Sequence, residues 1–366
     1  MEMGKAVMAV VVGVLVLAAH CEAGKLAASF VFGDSLVDAG NNNYLTTLSK
    51  ANIRPNGCDF KPSKGAPTGR YTNGRIIPDI IADELGIGGY APPFLAPSAK
   101  GSAILHGVNY GSGGSGILNS TGAIFVGRLS LEVQIDNFVE TRKELISMLG
   151  EKGAKDFINK SVFSITMGAN DFINNYLVPF ASTVQRVFVG EDSFIDQVIS
   201  TYHVQLKRLY DLDARRLVVA NVGPIGCIPY QRTINRVDED QCAALPNELA
   251  LKFNKRLKDI MKDLNANCTG ATFLLANTYD MVEDVIKNYA KYGFEASNLA
   301  CCGRGGQFKG IIPCGPTSIE CTDHTKYVFW DPYHPSEAAN VIVAKKLIDG
   351  GPNDIYPMNL RKLISL

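Results

Sequence analysis

The sequence predicts an α/β protein in which a parallel sheet lies between two layers of helix. Three observations carry that reading. Short, nearly continuous apolar runs recur along the chain. Amphipathic stretches of helix length separate them. Each run ends in Gly, Asn, Asp or Ser. Strands of a parallel sheet are buried on both faces and read as unbroken apolar runs. Strand and helix periods in alternation indicate crossover units that cover such a sheet on both sides.

The elements follow in order. AASFVF (residues 27–32) reads as the first strand. Residues 75–85 place Ile76, Ile77, Ile80, Ile81 and Leu85 on one helical face. ILHGVNY (104–110) reads as a second, weaker strand. Residues 129–149 are amphipathic, with Val133, Phe138, Leu145 and Leu149 as inward candidates. SVFSITM (161–167) is the third strand, and a helix follows over 191–212. RLVVANV (216–222) is the fourth strand, 246–264 a helix and ATFLLAN (271–277) the fifth strand. Further helices are expected near 279–290 and 336–348. No linker, repeat or low-complexity block divides the chain, so one three-layer α/β/α domain of about five strands is expected over 24–366.

The first 23 residues read differently. Lys5 precedes the apolar run AVMAVVVGVLVLAA (6–19), and a small-residue exit follows. That pattern is a secretory signal with cleavage near Ala23. A transmembrane anchor is the competing reading, but the run falls short of the roughly 20 residues a span needs. Removing residues 1–23 leaves 35 basic against 34 acidic residues. No basic stripe points to nucleic acid, and no acidic tract to a disordered tail. The secreted chain would keep eight cysteines: Cys58, Cys227, Cys242, Cys268, Cys301, Cys302, Cys314 and Cys321. An even number in an exported protein points to disulfides, with 105 complete pairings open. A zinc site is the alternative, although two C-x2-C pairs are absent. Asn119, Asn159 and Asn267 head N-x-[ST] sequons, candidates for glycosylation.

Ligands of an open parallel sheet bind beyond the carboxyl ends of its strands. The strand exits here are Gly33-Asp34-Ser35, Gly111-Ser112-Gly113-Gly114, Gly168-Ala169-Asn170-Asp171 and Gly223-Pro224-Ile225-Gly226-Cys227. A serine hydroxyl needs a base to act as a nucleophile, usually a histidine held by a carboxylate. Of the four histidines beyond the signal, His203 lies within a helix, His106 in a strand and His324 in the cysteine-rich loop. His334 stands in DPYHPS three residues after Asp331, close enough for one turn to join them. Gly113 and Asn170 are candidate donors to an oxyanion near Ser35. Gly111, Gly113 and Gly116 also match G-x-G-x-x-G, with Glu132 about 20 residues on. The residues that follow do not open an amphipathic helix, as a dinucleotide site requires. No G-x-S-x-G occurs, which argues against the α/β-hydrolase fold.

Four blocks, FVFGDSLVDAGNNN, NYGSGGSGI, GANDF and DPYHPS, resemble the signature blocks of the plant-type GDSL esterase/lipases, a branch of the SGNH hydrolases. PTGRYTNGR (67–75), NVGPIGCIP (221–229) and the cysteine loop (300–321) are similar to the same branch. The resemblance covers nearly the whole chain after the signal. Gly111 and Asp213 depart from it, standing where the branch often has Ala and Gly. It implies a flavodoxin-like sheet, no metal and no cofactor. It implies Ser35 as nucleophile, His334 as base and Asp331 as its orienting carboxylate. Ser35, Gly113 and Asn170 would form the oxyanion hole. The expected partner is an ester substrate, an acyl lipid or an acylated small molecule or carbohydrate. The expected location is extracellular, the apoplast or cell wall in a plant. Two other readings stay open: an acyltransferase that uses the same serine, and a secreted binding protein without turnover.

Overall fold

A computed structural model describes residues 26–178 and 189–366. The expected signal segment, residues 1–23, lies outside them. In chain order the elements are β1 (Ser29–Gly33), α1 (Ile77–Glu84), β2 (Gly107–Asn109), α2 (Leu131–Lys160), β3 (Val162–Thr166), α3 (Glu191–Asp211), β4 (Arg216–Ala220) and α4 (Pro229–Ile234). There follow α5 (Ala244–Asn267), β5 (Thr272–Ala276), α6 (Thr278–Lys287), β6 (Ala296–Ala300), β7 (Tyr327–Phe329), α7 (Glu337–Asp349), β8 (Ile355–Tyr356) and α8 (Leu360–Ile364). Among the described residues no helix is long and apolar enough to cross a membrane.

The main sheet has the order β2-β1-β3-β4-β5-β8. The first five strands are parallel, and β8 is antiparallel to β5. The 2-1-3-4-5 order is that of the flavodoxin-like folds, and the chain reverses direction across the sheet between β1 and β3. A crevice therefore opens above those two strands. The two faces of the sheet differ. One carries Phe30, Phe32, Phe163, Ile165 and Phe273, packed against residues of α2, α3 and α5. The other carries Val162, Val218, Ala220, Leu274 and Ala276, packed against residues of α7 and α8.

The second strand is shorter than its sequence suggests. Gly101–His106 forms a 3-10 helix, and Gly107, at φ 112°, ends it before the extended run. His106 is accordingly exposed rather than packed in a strand. Val133 and Leu149 are exposed too, at 38% and 39%. The inward face of α2 runs through Leu131, Ile135, Phe138 and Leu145. Val133 lies two residues from Leu131, about 200° around the helix. Leu149 precedes Gly150, whose φ of 72° breaks the helix and turns its face.

Six of the eight cysteines pair, as Cys227–Cys242, Cys301–Cys321 and Cys302–Cys314, while Cys58 and Cys268 are free. Loops of this length are worth roughly 3 kcal/mol per bridge in lost freedom of the unfolded chain. The two bridges at 301–321 form a small core with Trp330. The Cys302 amide donates to the Trp330 carbonyl at 2.6 Å. The Trp330 indole donates to Asn56 at 2.9 Å. A loop without secondary-structure period thus becomes a rigid brace immediately before Asp331.

Candidate active site

Ser35 follows β1 at the switch point. Gly33 brings it there: a Cβ at Gly33 would collide with the Thr166 carbonyl of β3, so only glycine allows this close passage. Gln134 of α2 clamps the turn. Its carbonyl accepts from the Gly33 amide at 2.9 Å, and its amide donates to the Gly33 and Leu129 carbonyls at 2.8 Å each.

The asparagine run after Ser35 stitches two strand exits together. The Asn41 amide donates to the carbonyls of Asn109 and Gly111, at 2.9 and 2.8 Å. The Asn42 amide donates to those of Ser49 and Gly113, both at 2.9 Å. The Asn43 amide donates to the Thr68 carbonyl at 2.8 Å. Asn41 and Asn42 are buried, so these bonds satisfy backbone groups that water cannot reach.

His334 Nε2 lies 2.7 Å from Ser35 Oγ. His334 Nδ1 lies 2.8 Å from both carboxylate oxygens of Asp331. Asp331 Oδ1 also accepts from the amides of Tyr333 and His334, at 2.8 Å each. The aspartate thus caps the turn that carries the histidine. Asp331 and His334 are buried, and the Tyr71 ring stands 5.1 Å from the imidazole. The other described histidines stay outside the site. His203 pairs with Asp263, and His324 with Asp59 and Glu320.

The candidate oxyanion donors separate. The Gly113 amide, expected to face Ser35, donates instead to the buried Asp38 carboxylate at 3.0 Å. Asp38 also accepts from the amides of Gly40 and Asn41, at 2.7 Å each, which fixes it in place. The next residue, Gly114, lines the cavity that contains Ser35 and His334. The amides of Ser35 and Gly114 find no acceptor among the described residues. Asn170 lines the same cavity. Its carbonyl accepts from Asn174 at 2.6 Å, and one of its two amide hydrogens goes to the Ser115 carbonyl at 2.9 Å. The orientation of the group leaves its second hydrogen for a ligand. Asp171 behind it accepts from Ile117, Leu118 and Thr121, at 2.8, 3.0 and 2.7 Å, and so ties the third exit to the second.

Sequence reasoning missed Asp38, Gln134 and Asp171, because each acts on a distant backbone. The available signal was their polarity within otherwise buried stretches. Gly111, Gly113 and Gly116 lie in a loop that precedes no helix for more than a turn, so the dinucleotide pattern lacks its context. Asp213, where the family often has Gly, adopts a left-handed φ of 76° and pairs with Arg142 at 2.7 Å. Of the sequon residues, Asn119 and Asn267 are exposed and Asn159 is half-buried.

Asp34 is buried beside Ser35, and one of its carboxylate oxygens accepts from the Leu36 amide at 3.0 Å. Burial pushes the carboxyl up to about 7, against the pull of that amide and of His334. An unfolded aspartate titrates near 3.9. The folded protein therefore holds this proton more tightly. The contribution is intact below about pH 4 and is lost as pH rises through about 7. Asp34→Asn removes the ionisation. Wild type should lose stability relative to Asp34→Asn between pH 4.5 and 8, by up to roughly 4 kcal/mol. Thermal melts of both proteins at the two pH values measure it, and a pH-independent gap between them would refute the shift.

A hydroxyl, an imidazole and a carboxylate in this relay, at the carboxyl edge of a parallel sheet, is the arrangement of the serine hydrolases. The model of the GDSL-like lipase/acylhydrolase family matches residues 30–347. Three GDSL esterase/lipases of Arabidopsis thaliana are similar over most of their length. One is 60% identical across 93% of this chain and 88% of its own. A second is 55% identical, across 93% and 92%. A third is 52% identical, across 98% and 96%. The chain belongs to the GDSL esterase/lipase family of carboxylic ester hydrolases.

Proposed function

We propose that the protein is a secreted esterase that forms an acyl-enzyme on Ser35, in a single domain that begins near residue 24. The observation that supports this most directly is the 2.7 Å approach of His334 Nε2 to Ser35 Oγ, with Asp331 behind the ring. His334 takes the Ser35 proton as Oγ bonds to the ester carbonyl carbon. The carbonyl oxygen becomes an oxyanion, held by the amides of Ser35 and Gly114 and by Asn170 Nδ2. The alcohol leaves with the proton from His334. Water, deprotonated by the same imidazole, then releases the acid and restores the serine. The acidic product and the free alcohol distinguish this from acyl transfer, in which a second alcohol replaces water. Incubation with p-nitrophenyl acetate, with and without an added alcohol, separates the outcomes. Free acetate supports hydrolysis, a new ester supports transfer, and neither from folded protein, with the acetate or with longer acyl esters, supports a binding role. The apolar leader 6–19 and the three disulfides support secretion. A mature N-terminus other than one near Gly24 in protein recovered from culture medium would count against the cleavage position.

Asn170 has two candidate duties, holding the Ser115 loop and binding the oxyanion. As an oxyanion donor it matters only in the transition state, so Asn170→Ala should lower kcat by about 10²–10³ with little change in KM. A purely structural residue would instead lower Tm, with activity falling in proportion. kcat and Tm on the same variant discriminate, and near-normal kcat in the folded variant would remove Asn170 from the mechanism.

A further inference from the structure

The second face of the sheet is packed against α7 and α8 but is filled less completely around β3 than the first. β3 lies in the middle of six strands, where both faces should be covered. On one face Phe163 and Ile165 are fully buried. On the other, Ser164 and Thr166 remain partly exposed. The residue sizes explain the contrast. Phe30, Phe32, Phe163 and Phe273 crowd the first face, while the second mixes Val162, Val218 and Leu274 with the small Ser29, Ser164, Thr166, Ala220 and Ala276. Small side chains leave space between the sheet and the helices opposite.

That space belongs to one cavity of about 350 Å³. At its upper end it contains Ser35 and His334. From there it passes beneath Thr166, Ser164 and Val218, with Ile81 of α1 and Val343 and Leu347 of α7 across from them. At the foot of the sheet it is lined by Leu26, Leu360 and Ile364. Its charged side chains among the described residues, Asp34, Lys50 and Asp331, all belong to the loops at the serine's end, and the described lining under the sheet has none. Interiors normally keep few voids larger than a water molecule, and an apolar one does not hold water well. A space of this size, continuous with the nucleophile, fits an uncharged arm of the substrate.

We propose that the cavity receives an unbranched hydrocarbon arm of the ester, about ten carbons long. The proposal rests on the esterase reading above and specifies its substrate class. The length follows from the register. Gly33 pairs with Thr166 at the top of the sheet and Ser29 with Val162 at the bottom, four residues lower. At about 3.3 Å per residue the span is roughly 13 Å. An extended alkyl chain advances about 1.25 Å per carbon, from a ~1.5 Å bond at ~111°. Ten carbons therefore span the sheet from the serine's edge to its foot, where Leu26, Leu360 and Ile364 line the cavity. The arm belongs to the acid or to the alcohol, and the chemistry of the cavity is the same for both.

Two substrate series test this on the full chain as secreted. p-Nitrophenyl esters from acetate to palmitate vary the acid, and acetates of straight-chain alcohols vary the alcohol. Each buried methylene should raise kcat/KM by about threefold to fourfold. In one series kcat/KM should climb at least 100-fold and peak near ten carbons. Ser164 stands two residues below Thr166, about 7 Å down the channel. Ser164→Leu should move the peak to about five carbons, and Ala220→Leu should also shorten it. Melting curves and labelling of Ser35 by a phosphonate show whether each variant is folded. Calorimetric binding of decanoate to the Ser35→Ala protein supplies a readout that needs neither variant nor turnover. Acetate hydrolysis with no rise in either series overturns the proposal and leaves the esterase reading intact. Folded protein that hydrolyses no ester overturns that reading instead, and the decanoate titration then decides the cavity alone: binding keeps it, and no binding overturns it.

Discussion

The Ser35→Ala protein is expected to fold normally and to lose ester turnover by about 10⁶-fold. Removing the nucleophile of a serine triad costs about that much, because its members act as a unit. Here the reason is local. Ser35 Oγ has His334 Nε2 as its hydrogen-bond partner, at 2.7 Å, and the residue is only half-buried. The substitution removes the partner of His334 Nε2, but that imidazole lines the cavity, and no backbone group depends on the hydroxyl. The loops around it remain tied by Asn41, Asn42, Asp38 and Gln134, none of which bonds to the hydroxyl. His334→Ala should be nearly as severe, since no other described histidine reaches the serine. A serine-reactive phosphonate should label one peptide of the wild type, the one that contains Ser35. Persistent labelling or turnover in folded Ser35→Ala would end the assignment.

Much of this site is legible in the amino-acid sequence, for a physical reason. A parallel sheet gathers the residues after its strands onto one edge. Knowing where β1 and β3 end is thus enough to bring Ser35 and Asn170 near one another, although they are far apart in sequence. Asp331 and His334 are legible because a three-residue spacing is a turn's length. The finer detail is not. Whether the Gly113 or the Gly114 amide faces the serine depends on one peptide plane, and that plane is set by Asp38, remote in sequence. The 104–106 stretch is apolar enough for a strand, but the turn at Gly107 overrides its propensity. β6 and β7 escape a reading by period because neither run alternates: Ala296–Ala300 is half-exposed throughout its first four residues, and Tyr327–Phe329 is too short to show a period. The incomplete filling of one sheet face is equally hidden. It depends on what the helices opposite fail to fill.

Asp331→Asn is the second change with a large expected effect, and its outcome follows from which oxygen is already engaged. Asp331 Oδ1 accepts from the Tyr333 and His334 amides, at 2.8 Å each. Both oxygens lie 2.8 Å from His334 Nδ1, and Oδ2 has no backbone donor of its own. An asparagine keeps its carbonyl oxygen at the Oδ1 position, because the two backbone amides are donors and cannot face an NH₂ group. The NH₂ group then takes the place of Oδ2 and donates to Nδ1. The NH₂ group opposes a proton on Nδ1, while the carbonyl at Oδ1 can still accept one, so the balance shifts toward the tautomer protonated on Nε2. In that tautomer Nε2 is a donor toward Ser35 and cannot accept the serine's proton. The turn stays capped, so Tm should change little. Activity should fall by about 10⁴-fold, as it does when a triad aspartate becomes asparagine. Asp331→Ala frees the tautomer but also uncaps the amides of Tyr333 and His334, the latter buried, so it should lower Tm while retaining more activity per folded molecule than the asparagine variant. Measuring kcat and Tm for both variants tests the account. Asparagine outperforming alanine in kcat would show that Asp331 acts through the turn rather than through the histidine's proton.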